Sequence, residues 1–218
     1  MAQIEVISFD MEGTLITHDF SDLIWETDIP RLYGEQNRLD LETARKRVIA
    51  QYDVVGDGRP EWYDAGYWFR KLNLECDLRD ILEVRRNSCI LYPDVLGILE
   101  DLREDYRLVI SSNTIREFLD VQLRILPDVF EKVFSAPSDL GIVKDQKFYR
   151  HVCDELMIKP QRITHIGDSR KFDYDPSKAI GIHAFLLDRE NKLVGPDVVH
   201  DLESYAEIIK RFMRGSVS

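Results

Sequence analysis

The stretch Ile4-Glu5-Val6-Ile7-Ser8-Phe9-Asp10-Met11-Glu12-Gly13-Thr14-Leu15 reads as a short apolar strand that runs into two carboxylates and a glycine. Its apolar character is nearly continuous, which marks a strand buried on both faces, as in a parallel sheet. Four further segments share this character: Arg107 to Ser111, Phe130 to Phe134, Ile163 to Gly167 and Ile182 to Leu187. Between and after them lie helical patterns at Asp94 to Glu104, Ile115 to Ile125, Gln146 to Met157, Pro176 to Ile180 and Asp201 to Met213, with the tail Arg214 to Ser218 expected to fray. This alternation predicts an α/β fold, a doubly wound, Rossmann-like parallel sheet. In such sheets ligands sit beyond the carboxyl ends of the strands, near the switch in strand order, so the chemistry is to be sought there.

The interval from Ile16 to Ile90 breaks the pattern, with no convincing strand and several helices. One helix fits Ser21 to Leu32. A second follows an Asp40 N-cap and keeps Ala44, Val48 and Tyr52 on one face. A third starts with Pro60 in its first turn and carries Trp62, Tyr63, Tyr67, Trp68 and Phe69, and a fourth runs near Leu78 to Arg86. The expected organisation is a core domain of residues 1–16 and 91–218 carrying an α-helical cap of residues 17–90.

Composition narrows the class of partner. Twenty-nine basic residues against 40 acidic ones give a net charge of −11, and no basic cluster is present to grip a nucleic acid backbone. A small phosphorylated molecule remains compatible, because screening limits the global field to about 8 Å and a local cation dominates inside a pocket. The apolar runs are only strand-sized, and a strand begins almost at once after Met1, so neither a membrane span nor a leader is expected. Cys76, Cys89 and Cys153 lack CxxC spacing and read as reduced thiols, which points to the cytoplasm.

Asp10 and Glu12 stand two positions apart at a strand end, where extended geometry sends both to one side, and Gly13 allows a sharp turn. Such a pair suits a nucleophile and its acid/base partner, although an acidic strand-to-loop turn has the same appearance. The second strand runs into Ser112-Asn113, a hydroxyl and an amide able to hold a phosphoryl oxygen, or equally to cap a helix. Lys144 lies just ahead of a helix and offers a point cation; Lys147, one turn on, competes for that role. The fourth strand ends in His165-Ile166-Gly167-Asp168-Ser169, with Asp173 following, and these two carboxylates suit hard oxygen ligation of Mg²⁺. His165 and His183 fall in strand patterns and are expected to be packed or hydrogen-bonded outside the site.

In order, Asp-x-Glu-Gly-Thr-Leu, a strand ending in Ser-Asn, a lysine before a helix and Gly-Asp-Ser-x-x-x-Asp resemble the four motifs of the haloacid dehalogenase superfamily. Tyr92-Pro93-Asp94-Val95 and Ala179-Ile180-Gly181 are similar to that family's flanking segments. The resemblance implies a Mg²⁺-dependent phosphatase acting on a small phosphorylated metabolite. Asp10 would attack phosphorus and also ligate the metal; Glu12 would give its carbonyl to the metal and its side chain as acid, then base. Ser112, Asn113 and Lys144 would grip the phosphoryl oxygens; Asp168 would ligate Mg²⁺, with Asp173 ligating through water or positioning Lys144. The helical insertion resembles the family's cap in its first position, with His18, Arg59, Trp62, Trp68 and Arg70 as candidates facing substrate, although the aromatic residues equally suit the cap's own core.

Three features depart from the family pattern: glutamate at position 12, the sequence Val143-Lys144-Asp145-Gln146 without a proline after the lysine, and Phe172 where an asparagine often precedes the last aspartate. A haloacid dehalogenase, a phosphomutase and a phospho-ligand binding protein with weakened turnover stand as alternatives. The paired Asp168 and Asp173 argue against the metal-free dehalogenase.

Overall fold

The computed structural model describes residues 3–214, so the tail expected to fray lies, from Gly215 onward, outside the described residues. Six parallel strands form one sheet in the order β3-β2-β1-β4-β5-β6. They are β1 (Val6–Phe9), β2 (Arg107–Ser112), β3 (Phe130–Ser135), β4 (Ile163–Gly167), β5 (His183–Leu187) and β6 (Val198–Val199). The expected doubly wound α/β fold is therefore present, with one edge strand, β6, that is too short to stand out in the sequence.

Side-chain alternation divides β1 between two apolar layers. Ile7 and Phe9 join Leu108 and Ile110 of β2 and Ile166 of β4 on one face, covered by α6 (Val95–Leu102) and α9 (Leu202–Arg214). Val6 joins Val109 and Ile163 on the other, covered by Phe148, Tyr149 and Val152 of α8 (Gln146–Glu155). Ser8 and Asp10 share the parity of Val6, so their side chains point toward the α8 layer. Register then sets the level of the site: Phe9 lies opposite Ile110 of β2 and Ile166 of β4. Asp10 and Asp168, just past β1 and β4, and Ser112, the last residue of β2, accordingly meet at one edge of the sheet.

Between β1 and β2 the chain inserts helices. α1 (Asp19–Leu23) continues through a π-helical turn, Ile24–Asp28, into α2 (Ile29–Asn37), and α3 (Leu41–Val55), α4 (Ala65–Lys71), α5 (Leu78–Arg85) and α6 follow. Asp40 caps α3 as expected, accepting from the Thr43 N–H at 2.9 Å. The helix expected from Pro60 through Phe69 is split into a 3₁₀ turn at Pro60–Trp62 and α4. The break comes at Asp64, whose extended backbone lets its side chain cap α4 by accepting from the Tyr67 N–H.

The insertion leaves and re-enters the core through paired linkers. Ile16 bridges Leu91, the Thr17 N–H donates to Ile90 at 2.9 Å, and the Tyr92 N–H donates to Leu15 at 3.2 Å. Its apolar cluster, built on Phe20, Ile24, Val48, Trp68 and Leu82, also takes in Phe118 and Val121 of α7 (Arg116–Gln122). Phe118 is the anchor: Trp25 stacks on it at 5.8 Å and Phe20 meets it edge-on at 5.5 Å. By contrast α6, although inserted in sequence, packs on the sheet through Val95, Leu99 and Leu102.

Candidate active site

Asp10 follows β1, and its N–H continues the sheet by donating to Ile166 at 2.9 Å. Lys144 sits just ahead of the Asp145 N-cap of α8, buried at 3% exposure, and its ammonium donates to Asp10 Oδ1 and Asp173 Oδ1 at 2.5 Å each and to the Ser111 carbonyl at 3.3 Å. Lys147, the competitor, is exposed one helical turn on. Asn113 fixes the lysine's backbone, its Oδ1 accepting from the Lys144 N–H at 2.7 Å. Ser112 is buried, and its Oγ accepts from the Thr114 N–H at 3.1 Å, so it shapes the loop after β2 as it faces the same cavity.

Asp173 lies in a π-helical turn, Arg170–Tyr174, that Ser169 caps. The turn swings its fully buried carboxylate back under the site: Oδ2 accepts from the Ser169 N–H at 3.0 Å, and Oδ1 faces Lys144 and His165 Nε2. Burial alone would raise this carboxyl, but Lys144 and His165 outweigh it and hold Asp173 below the usual carboxylate range. Asp10 has Lys144 but lacks the other two donors. Its burial outweighs the lysine, Asp173 and Asp168 add like charge, and its carboxyl is raised well above the usual range.

Oxygens of Asp10, Asp168 and Asp173 fall within 4.8 Å of one another, a hard-donor set able to hold a divalent ion. Two glycines make room for it. A Cβ on Gly13 would stand 2.2 Å from Asp168 Oδ2, and one on Gly167 would stand 2.2 Å from Asp173 Cγ. The raised Asp10 carboxyl fits the same reading, since a cation between these groups removes the repulsion that burial amplifies. The residues therefore fit Mg²⁺.

Glu12 turns toward the insertion. Its Oε1 accepts from Gln122 Nε2 at 2.5 Å, and burial raises its carboxyl to about 7 against the opposing pull of Ser21, His18 and Gln122. His18, named among the candidates facing substrate, stands 3.5 Å from Asp168 Oδ2, and that carboxylate raises the imidazole to about 9. Of the other candidates, Trp68 is fully buried in the insertion's core, Arg59 pairs with Glu61, Arg70 lies 3.7 Å from Asp64, and Trp62 lines a cavity beside the site.

His165 is buried and hydrogen-bonded, as its strand position implied, and one partner, at 3.1 Å, is Asp173, which puts the ring beneath the site's carboxylates. Its Nδ1 lies 2.9 Å from Ser8 Oγ, which donates to Ser111 Oγ at 2.8 Å, while Tyr149 Oη lies 3.0 Å from Nε2. Burial lowers its pKa, which favours the neutral ring in this network. Ser8, Ser111, Tyr149 and Gln122 were not recognised from the sequence. The available signal was polarity in strands otherwise filled with apolar residues: Ser8 and His165 are register partners across β1 and β4.

With the family's sequence profile matching residues 4–181, the chain belongs to the haloacid dehalogenase-like hydrolases. The GMP/IMP nucleotidase YrfG of Escherichia coli is 25% identical over 170 residues, covering 76% of this chain and 75% of that protein. Among solved structures, a HAD phosphatase from Thermococcus onnurineus superposes with a TM-score of 0.85 at 21% identity, covering 94% of this chain and 98% of that one. The HAD-hydrolase YfnB of Bacillus subtilis, a magnesium-bound structure, gives 0.68 at 18% identity, covering 96% and 100%. These structural likenesses establish the fold, including the helical insertion between β1 and β2.

Proposed function

We propose that the protein is a Mg²⁺-dependent phosphomonoesterase that hydrolyses a small phosphorylated metabolite through a phospho-aspartate on Asp10. The observation that supports it best is a buried Asp10 carboxylate held by Lys144 and faced by Asp168 and Asp173 in a cavity of about 250 Å³. Residues 17–90 act in this reading as the cap over that cavity, with Tyr63 edge-on to Phe172 at 6.3 Å and Asp57 paired with Lys171 at 2.7 Å. The three cysteines are free, which fits a reducing compartment, and among the described residues no helix is long and apolar enough to cross a membrane.

Asp10 attacks phosphorus with one carboxylate oxygen, and the bond to the ester oxygen breaks. Glu12, part-protonated near neutrality, gives its proton to that leaving oxygen, then takes one from the water that cleaves the aspartyl phosphate, releasing phosphate and free Asp10. Lys144 offsets the repulsion between two anions and stays charged, because Asp10 and Asp173 raise it above its ordinary value against its own burial. Ser112 and Asn113 line the phosphoryl side of the cavity. Mg²⁺, held by Asp10 and Asp168 with the Glu12 carbonyl, would supply charge neutralisation and polarise the phosphoryl oxygens. Asp173 spends its oxygens on Lys144, His165 and the Ser169 N–H, which favours positioning the lysine over direct ligation and leaves the metal to be reached through water.

The acid cluster beside Asp10 favours phosphorus over a carbon–halogen bond as the target. Similarity to YrfG makes nucleoside monophosphates one class to include among substrates. The test is Mg²⁺-dependent phosphate release across small phosphomonoesters, with the Asp10→Asn protein as control. Release that persists without Mg²⁺ or in Asp10→Asn would remove the assignment.

A further inference from the structure

A second cavity of about 430 Å³ adjoins the phosphoryl cavity, and the two share Glu12, His18 and Tyr63. Since Glu12 is the proposed donor to the leaving oxygen, this second cavity is where the alcohol part of a substrate would lie. Its walls are aromatic: Trp25 on the π-helical turn, Tyr52 on α3 and Trp62 on the 3₁₀ turn. These rings are held in place. Tyr52 meets Trp25 edge-on at 5.7 Å and Trp62 at 6.2 Å, its hydroxyl donates to the Trp25 carbonyl at 3.3 Å, and Phe118 backs Trp25. Trp25 and Trp62 remain only part-buried, so ring surface is left for a ligand.

Carboxylates outnumber cations in this cavity. Besides Glu12 it is lined by Asp22, Glu26 and Asp53; it has no lysine or arginine, and its one cationic group, His18, faces Asp168 at 3.5 Å. Glu26 is taken up by Arg45, whereas Asp22 and Asp53 are exposed and, among the described residues, make no ion pair with a lysine or arginine. An anionic leaving group would meet these carboxylates with only His18, itself paired with Asp168, to offset them. A planar ring bearing N–H donors would stack on the tryptophans and donate to them.

We infer that the substrates are monophosphates of an aromatic alcohol of nucleoside size, uncharged and rich in N–H donors, namely nucleoside 5′-monophosphates. This inference rests on the phosphomonoesterase reading above. The volume lies in the range of cavities that enclose a drug-sized ligand and exceeds what a two- or three-carbon chain fills. Phosphoryl donors with a charged leaving group, such as phosphoglycolate and nucleoside diphosphates, are disfavoured by the same walls.

The test measures kcat/KM with Mg²⁺ for guanosine 5′-monophosphate, glucose 6-phosphate, phosphoglycolate and acetyl phosphate, the last having a leaving group too small to reach the aromatic walls. Guanosine monophosphate should exceed glucose 6-phosphate and phosphoglycolate by on the order of tenfold, the effect of one lost base–aromatic stack. Trp62→Ala should lower its ratio to acetyl phosphate by a similar factor. Asp53→Lys, at an exposed position of α3, should raise the phosphoglycolate-to-acetyl phosphate ratio severalfold, testing the same cavity without disturbing the core. Mg²⁺-dependent turnover of acetyl phosphate with no preference for the nucleotide, or ratios unmoved by both variants, would overturn the substrate class and leave the phosphatase reading standing. Failure to release phosphate from any probe would remove the phosphatase reading, and this inference with it.

Discussion

Replacing Lys144 with Met removes an ammonium while keeping a similar unbranched chain, so the consequence is electrostatic. The lysine contacts Asp10 and Asp173 at 2.5 Å each. At an effective dielectric near 20 each contact is an attraction of about 7 kcal/mol. Desolvation of three ions, several kcal/mol apiece, and repulsion between the carboxylates offset most of this, and losing one partner of such a buried set typically costs about 3–5 kcal/mol. Asp173 carries most of that cost, because it is fully buried and would keep only His165 and the Ser169 N–H. The sign with pH follows from the folded values. Asp173 is depressed, so its contribution is present above its unfolded pKa, about 3.9, and is lost as pH falls toward the folded value. Asp10 is raised, and without Lys144 its charged form becomes costlier as pH climbs. Both make the deficit larger at neutral than at acid pH. Urea unfolding of both proteins without Mg²⁺ at pH 7.5 and pH 4.0 measures it. A deficit under about 1 kcal/mol at pH 7.5, or one that does not narrow at pH 4.0, would mean that Lys144 does not hold these buried carboxylates in the charged form.

Other consequences can be checked alongside. Burial raises Glu12 to about 7, so if its proton transfer limits turnover, activity should fall as pH rises through about 7; Glu12→Gln should abolish that limb, and a limb that survives would assign it elsewhere. Gln122 lowers Glu12 through its hydrogen bond, so Gln122→Leu should move the limb upward, read from the same pH–rate profile. Gly167→Ala would drive a methyl into Asp173 at 2.2 Å and should cost about 1–3 kcal/mol in urea unfolding together with most activity; near-native values of both would contradict the close packing. Asp168→Ala should weaken Mg²⁺ binding by isothermal titration calorimetry, and an unchanged affinity would take that residue out of the metal set.

Much of this site could be read from the sequence because strand ends in a parallel sheet converge. Once Asp10, Ser112 and Gly167 were recognised at the ends of buried strands, register alone brought them together. What stayed hidden depends on events off the strands. Lys144 could be separated from Lys147 only by the loop that Asn113 pins, a contact across 31 positions. Asp173 points inward because its turn is π-helical, which no local propensity announces. His165 looked like a packed strand residue, and its polar role shows only when Tyr149, from α8, arrives on the same face. In the insertion, aromatic residues assigned to a single helix were divided by the Asp64 cap, which sent Trp68 to the core and left Trp62 beside the site.

The proposed mechanism passes through a covalent phosphoryl intermediate on one aspartate. Acid quenching of the protein during turnover of radiolabelled acetyl phosphate with Mg²⁺, followed by peptide mapping, tests it most directly. Transient label is expected on the peptide carrying Asp10, with none in the absence of Mg²⁺ and none in Asp10→Asn. Steady phosphate release with no labelled protein, or label on a peptide lacking Asp10, would contradict it.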